Sequence, residues 1–213
     1  YEIDDFKYSI DNYVKKRNPK HIFILGFSMG AMHATRYAAD YEGDVTAIVA
    51  VSHTMNVEKA TRQLDEFPLN KFYLPNIMQS HHRLLKKQQF VDDPKYRDEV
   101  MKINSMVKFD SVYTAPSIGM KSCEDYWSHI TIYDRVPKFT TPILELVAED
   151  DPFTRKSYFP FKEAEQDDNQ YMVLVTTKEG GHCGFIEGID GEHSLVEDIA
   201  FEWFEKAAKM NIK

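Results

Sequence analysis

Residues 26–30 read GFSMG, in which Gly26 and Gly30 flank Ser28 in the pattern Gly-x-Ser-x-Gly. Glycines on both sides of a serine allow a chain to turn sharply from a strand into a helix, so that the hydroxyl stands out at the end of the strand. The composition of the chain gives only about 0.02 chance matches to this pattern. The pattern therefore indicates a nucleophilic serine, provided that a strand, a helix and a partner base are also present.

A serine hydroxyl is a poor nucleophile until a base removes its proton. The stretch EGGHCGF supplies His182, and AEDDPF supplies the neighbouring carboxylates Asp150 and Asp151. We predict that His182 takes the proton of Ser28. We predict that Asp151, in preference to Asp150, fixes the tautomer of that histidine. The backbone N–H of Met29 is the expected donor of one oxyanion-hole hydrogen bond, because it follows the nucleophile. Taken singly, the histidine and the aspartates are typical of ordinary turns, and only their joint order indicates a triad.

No other set of reactive side chains fits a catalytic or metal site as well as Ser28, Asp151 and His182 do. His81 and His82 are adjacent, project differently from a helix and have no third ligand at a recognisable spacing, so we expect neither a metal nor an organic cofactor. Cys183 lies next to the expected base and lacks a base of its own, which favours a small packing residue over a nucleophile. Residues 193–198, HSLVED, match a His-x4-Asp pattern found in some acyltransferases, but the composition makes such a match common by chance.

Apolar patterns along the chain predict helices and strands in alternation. The predicted strands are short apolar runs, and they cover residues 21–25, 45–51, 142–148 and 171–177. Helical spacing is found at residues 3–18, 31–41 and 193–210. This order predicts an α/β fold with a mostly parallel sheet and helices on both faces. Because the carboxyl ends of parallel strands share one edge, Ser28, Asp151 and His182 are expected to meet there.

One region interrupts the alternation. About ninety residues rich in aromatics and methionine separate the strand near Ser52 from the strand near Ile143, which is too long for a simple crossover. We predict a helical cap inserted at about residues 55–138. Its segments, among them FPLNKFYLPNIM, are compatible with plain packing on the sheet or with an apolar channel for an acyl chain.

Composition narrows the possible partners. The net charge of −8 argues against nucleic acid, whose binding requires clustered Lys and Arg. The two cysteines form neither a disulfide framework nor a metal-ligand spacing, so we expect an intracellular, reducing environment. No apolar run approaches the roughly 18 residues of a membrane span. Any membrane association would come from surface features or from upstream sequence.

Four stretches together resemble a known family: GFSMGA, FDSVYTAPSIGMKSCEDYW (Phe109–Trp127), AEDDPF and EGGHCGFIEG. The chain is similar, over nearly its whole length, to the α/β-hydrolase branch of bacterial YheT, the medium-chain fatty acid ethyl ester synthase/esterases and the abhydrolase-domain lipases. The resemblance implies a serine hydrolase that cleaves acyl or lipid esters through Ser28, Asp151 and His182, in some members with acyl transfer to alcohols. A departure from the family pattern is Ala31, where a further glycine is common, and we expect its small methyl to be tolerated.

The beginning of the chain differs more strongly from that family. Its members carry four further strands and an oxyanion loop before the nucleophile strand, whereas only about twenty residues precede that strand here. We therefore expect residues 1–213 to be the carboxyl-terminal part of one α/β-hydrolase domain. Upstream residues or a partner chain would then complete the sheet beside residues 22–25. The alternative is a hydrolase-derived structural or scaffold subunit with little or no activity.

Overall fold

The computed structural model describes residues 3–41, 43–87, 94–159, 161, 171–188 and 191–210. The chain divides into two compact units. The sheet unit comprises Tyr1–Asn56 and Ile132–Lys213, and the helical unit comprises Val57–Thr131. The residues of the expected triad all belong to the sheet unit.

The elements follow one another in the α/β order that the sequence predicts. The strands are β1 Phe23–Phe27, β2 Ala47–Val51, β3 Ile143–Ala148, β4 Met172–Thr177, β5 Ile186–Glu187 and β6 His193–Ser194. The α-helices are α1 Ile3–Ser9, α2 Met29–Asp40, α3 Val57–Leu64, α4 Leu69–Phe72, α5 Leu74–Lys87, α6 Pro94–Val100, α7 Met106–Phe109, α8 Ala115–Ser117, α9 Cys123–Ile130 and α10 Leu195–Lys209. Shorter helical turns cover Ile10–Val14, Lys15–Arg17, Asp110–Thr114, Tyr133–Lys138 and Lys156–Tyr158.

Strands β1 to β4 form one parallel sheet in the order β1-β2-β3-β4. The register pairs Phe27 with Val51 and Val51 with Leu146, so these strands end at about the same level. Every residue of β2 and β3 is buried, as expected for central strands covered on both faces. The predicted parallel sheet is thus confirmed.

Side chains alternate between the two faces of the sheet, since successive residues of a strand point to opposite sides. On one face Ile48 and Ala50 belong to a core that also contains buried residues of α1 and α2. On the other face Val49 and Val51 pack with Val196 and its neighbours on α10. Helices therefore cover both faces, as predicted.

The helical unit has a hydrophobic core of its own. That core is formed by Leu74, Met78, Leu85, Val100, Ile103 and Phe109. Asp65 stabilises the start of α7, since its carboxylate accepts hydrogen bonds from the N–H groups of Met106 and Val107 at 2.8 and 3.1 Å.

Element boundaries depart from the sequence prediction where tertiary contacts intervene. Strand β1 extends to Phe27 and so includes the first glycine of the motif. The predicted start of the last helix is wrong by two residues, because His193 and Ser194 pair with β5 in a two-stranded antiparallel ribbon before α10 begins. No helix within the described residues is long and apolar enough to cross a membrane.

Candidate active site

Ser28 occupies a tight turn between the end of β1 and the start of α2. Its φ of 51° and ψ of −118° are unusual for a residue with a side chain. Its N–H donates to the carbonyl of Val51 at 2.8 Å, which ties the turn to the neighbouring strand. The local arrangement is the strand, sharp turn and helix that a nucleophilic serine requires.

The two glycines of the motif have different structural roles. A Cβ added at Gly26 would lie 2.6 Å from the carbonyl oxygen of Gly30 and 2.7 Å from the nitrogen of Ala31. A Cβ added at Gly30 would meet nothing within 4 Å. The close approach of β1 to α2 therefore requires glycine at position 26 alone. Ala31 is fully buried beside that approach.

The three predicted triad residues lie together at the carboxyl ends of the strands. The Nε2 of His182 lies 2.8 Å from the Oγ of Ser28. The Nδ1 of the same ring lies 2.9 Å from Oδ2 and 3.1 Å from Oδ1 of Asp151. Because the Asp151 carboxylate accepts a hydrogen bond from Nδ1–H, the other ring nitrogen, Nε2, carries no proton and can accept the proton of the serine hydroxyl. A base and its orienting acid are thus in line with a nucleophile.

Asp151 and Asp150 have separate partners. The Asp151 side chain is fully buried, and its Oδ1 also accepts hydrogen bonds from the N–H groups of Phe153 and Thr154 at 2.8 and 3.0 Å. Such amide donors stabilise a buried carboxylate. The Oδ1 of Asp150 instead accepts from the N–H of Gly181 at 2.8 Å, one residue before the histidine. Asp151 contacts the imidazole, while Asp150 holds its loop.

The His182 loop is shaped by close packing. A Cβ at Gly180, whose φ is 154°, would lie 2.6 Å from the ring of Phe185. The ring of Phe153 meets the imidazole edge to face, with centroids 4.7 Å apart. Sequence reasoning identified neither phenylalanine. These contacts restrict the ring to one orientation, which a base must keep in order to reach the nucleophile.

A buried polar cluster that the sequence analysis missed lies in β3 and in the loop after β2. Glu145 is fully buried, and its Oε1 accepts from the backbone N–H of His53 at 3.1 Å. The Nδ1 of His53 lies 3.6 Å from Oε2 of Glu145 and 3.4 Å from the hydroxyl of Thr35. Desolvation raises the pKa of Glu145, although its contacts with His53 oppose that shift. A glutamate within the apolar run PILELVA is the signal that could have revealed this cluster.

Thr154 connects this cluster to the acid. Its hydroxyl donates to the carbonyl of Ser52 at 3.3 Å and lies 3.1 Å from the hydroxyl of Thr54. Its N–H is one of the donors to Asp151. Residues 51–54 therefore contact the backbone of Ser28 through Val51 and the acid loop through Thr154. The segment after β2 thus supports both ends of the predicted triad.

The remaining candidates lie elsewhere or behave differently. His81 belongs to α5, where its ring meets that of Phe109 at 5.1 Å, and His82 is its neighbour on that helix. Within the described residues no group of three potential metal ligands comes together.

The interpretation of Cys183 as a packing residue is wrong, because its side chain is exposed. Desolvation and the charge of Asp151 raise its thiol pKa, which disfavours the nucleophilic thiolate. Met29 is the first residue of α2, where a backbone N–H has no intrahelical acceptor.

A sizeable cavity of the sheet unit lies away from these residues. It has a volume of about 650 Å³ and lies at the amino ends of the strands, between Ile22, Thr46 and Pro142. Lys15 lines it, but this cation is already paired with Asp11 and Asp44 at 2.8 and 2.6 Å. Ligands of open parallel sheets bind at the carboxyl ends of the strands. The residues around Ser28 are therefore a better candidate for the substrate site than this cavity.

The parallel sheet, the turn at Ser28, the contact of Ser28 with His182 and the contact of His182 with Asp151 are those of a protein of the serine-hydrolase type with the α/β-hydrolase fold. Residues 2–182 match the model of the Hydrolase_4 family, described as serine aminopeptidase, S33. The chain belongs to this family.

Relatives of this chain carry names from lipid and ester chemistry. It is 31% identical over 210 residues to the human phospholipase ABHD3, a match that covers 93% of this chain and 49% of that protein. It is 26% identical over 206 residues to the monoacylglycerol lipase of Saccharomyces cerevisiae, covering 92% and 45%. An esterase from Pyrococcus furiosus shares the fold, with a TM-score of 0.53 at 18% identity over 94% of this chain and 59% of the esterase. The chain thus spans about half the length of the curated relatives it matches.

Proposed function

We propose that this protein is a serine hydrolase of carboxylic esters, with Ser28 as nucleophile, His182 as base and Asp151 as orienting acid. The observation that carries the proposal is the 2.8 Å contact between Nε2 of His182 and Oγ of Ser28. The other ring nitrogen faces a buried carboxylate. Relatives named as lipase, phospholipase and esterase support an ester over an amide substrate.

The chemistry follows from the geometry. His182 takes the proton of Ser28 as its oxygen bonds to the ester carbonyl carbon, and the oxyanion accepts a hydrogen bond from the N–H of Met29. The imidazolium, stabilised by Asp151, returns the proton to the departing alcohol and leaves an acyl-enzyme. Water activated by the same histidine releases the acid, whereas an alcohol in its place would give acyl transfer.

A fluorophosphonate probe tests the nucleophile. In its longest natural form the wild-type protein should be labelled at Ser28, and the Ser28→Ala variant of that form should lose the label because no activated hydroxyl remains. The matched control is Cys183→Ala, which removes the neighbouring thiol and should label normally. Unchanged labelling of Ser28→Ala would remove this residue from the mechanism, and a folded wild type that never reacts would favour the scaffold alternative.

The substrate class is the second part of the proposal. We propose that the helical unit acts as a cap for medium or long acyl chains, supported by its content of aromatic residues and methionine. Each additional buried CH₂ contributes up to about 0.8 kcal/mol, so kcat/KM should rise several-fold per added methylene until the site is full. A series of p-nitrophenyl esters from C2 to C16 measures this slope. Equal efficiency across the series would contradict an acyl-chain site.

A third proposal concerns the edge strand β1. Among the described residues this strand pairs with β2 only, and Leu25 and Phe27 are 39% and 40% exposed. We propose that upstream residues of a longer protein, or a partner chain, pair with this edge and supply the second oxyanion donor.

The test compares residues 1–213 with the longest natural form of the protein. We expect the shorter protein to associate or precipitate, and to turn over substrate about a hundredfold or more slowly, since losing one oxyanion donor costs about 10² to 10³. A monomeric 213-residue protein with equal activity would show that nothing is needed at this edge.

A further inference from the structure

Residues 67–87 of the helical unit carry exposed apolar and basic side chains that the hydrophobic core of the unit does not bury. We call these residues the basic aromatic segment. Phe67 and Phe72 are 75% and 61% exposed, and their ring centroids lie 6.4 Å apart. Tyr73 and Leu84 are also exposed. Large exposed apolar side chains that lie together mark an interaction surface more often than single ones do.

The charge of this segment is opposite to that of the protein. It contains Lys71, Arg83, Lys86 and Lys87 and no aspartate or glutamate, in a chain whose net charge is −8. Among the residues that the structure describes, none of these four cations has a carboxylate partner. The Nζ of Lys71 lies 6.0 Å from the centroid of the Phe72 ring. Cations and aromatic rings are thus interleaved on one exposed stretch.

The helix α5 separates this surface from the core. Leu74, Met78 and Leu85 are buried in the unit at helical spacing. Leu84 is displaced by about 100° from Leu85 around the helix and is exposed. Tyr73 immediately precedes α5 and is also exposed. The exposed apolar groups therefore do not belong to the hydrophobic core of the unit.

We propose that the basic aromatic segment docks the protein onto an anionic lipid surface. Aromatic side chains favour the headgroup level of a bilayer, where the ring is buried and a polar edge stays wet. The Lys71 ammonium lies beside the exposed Phe72 ring, within reach of lipid phosphates at that level, and the further cations of the segment add to its attraction to an anionic leaflet. A lipid surface offers both groups what they require, because its acyl boundary buries the exposed phenylalanine rings and its phosphates attract the cations. This inference does not rest on the reaction at Ser28.

Vesicle co-sedimentation tests the docking directly. The protein, in its longest natural form, should bind vesicles of phosphatidylcholine with 30% phosphatidylserine at least tenfold more tightly than pure phosphatidylcholine. The preference should weaken as salt is raised from 50 to 300 mM. The same measurement on Ser28→Ala should give the same affinity, so that loss of the reaction and loss of docking are distinguished. Equal binding to neutral and anionic vesicles, or none to either, would overturn the proposal.

Two pairs of variants locate the surface. Phe67→Ala with Phe72→Ala, and separately Lys71→Glu with Lys87→Glu, should each lower the affinity for anionic vesicles about tenfold or more. Matched controls are Phe201→Ala, an equally exposed ring on α10, and Lys102→Glu with Lys121→Glu, exposed lysines of the helical unit outside the segment. Circular dichroism verifies folding. Controls that lose as much affinity as the test variants would show that binding does not use this segment.

Discussion

The interior of the sheet unit near Ser28 and the exposed residues 67–73 of the helical unit place side chains of opposite character. In the sheet unit Asp151 and Glu145 are buried, and each accepts at least one hydrogen bond from a backbone N–H group. In the helical unit Phe67 and Phe72 are exposed, and the ammonium of Lys71 lies 6.0 Å from the centroid of the Phe72 ring. Fixed buried polar groups suit chemistry that needs exact geometry, whereas exposed apolar and basic groups suit binding to an extended surface.

The largest effect is expected in the sheet unit, when each of the two neighbouring aspartates is replaced in turn. Asp151→Asn should lower kcat about ten-thousand-fold, because an amide at this position can hold the wrong tautomer of His182. Asp150→Asn should cost less than about tenfold, since its amide oxygen still accepts the N–H of Gly181. Steady-state hydrolysis of a p-nitrophenyl ester measures both. Similar losses for the two variants would contradict the separate roles.

The next largest effect concerns the glycines of the motif. Gly26→Ala should lower the free energy of unfolding by about 3 kcal/mol or more, because its Cβ would overlap backbone atoms of Gly30 and Ala31. Gly30→Ala serves as the matched control. It should be neutral or stabilising by up to about 1 kcal/mol, since the position is helical and open. Urea unfolding measures both variants, and equal destabilisation would show that the motif needs two glycines.

A smaller effect is expected at the start of α7. Asp65→Ala should destabilise the helical unit by about 2 kcal/mol, because two backbone N–H groups and the hydroxyl of Ser105 lose their acceptor. Asp98→Ala, at an exposed position on α6, is the control and should change stability by less than about 0.5 kcal/mol. Hydrogen exchange at Met106 and Val107 reports the loss locally. Unchanged protection there would mean that Asp65 does not stabilise this helix.

The smallest effect is a change in pH dependence at Glu145. Burial raises the pKa of this carboxyl above its ordinary value of 4.5, so the folded state holds the proton more tightly than the unfolded state does. The contribution of this carboxyl to stability is therefore fully present below its unfolded pKa and is lost as pH rises through the folded pKa. Glutamine at this position does not titrate. The free energy of unfolding of the Glu145→Gln variant should therefore increase relative to that of the wild type as pH rises from 4 to 8. The imidazole of His53 faces this carboxyl, and the hydroxyl of Thr35 lies beside that imidazole.

The control for that experiment is Glu149→Gln. Glu149 is exposed, and its ion pair with Lys156 lowers its pKa. Any contribution it makes is present above the unfolded pKa and is lost as pH falls. The two variants should therefore change the pH dependence in opposite directions. A Glu145→Gln protein whose stability parallels that of wild type at every pH would mean that this carboxyl does not titrate differently in the two states.

The sequence by itself determined the order of helices and strands, the parallel sheet and the family. Runs such as VTAIVAV can be buried on both faces only between layers of helices, and a serine between glycines requires a sharp turn. These constraints are local, so they can be recognised in the amino-acid sequence alone. The sequence also predicts that Ser28, Asp151 and His182 meet, because each follows a strand and the carboxyl ends of the strands of one parallel sheet lie at one edge.

Only the tertiary structure decided which atoms of these residues meet. It gave Asp150 a partner of its own in the N–H of Gly181, showed that Gly26 rather than Gly30 is sterically required, and showed that Cys183 is exposed. It also brought Glu145 beside His53, residues 92 positions apart. Such contacts depend on side-chain direction and on the packing of distant segments, and neither is encoded in the spacing of residues along the chain.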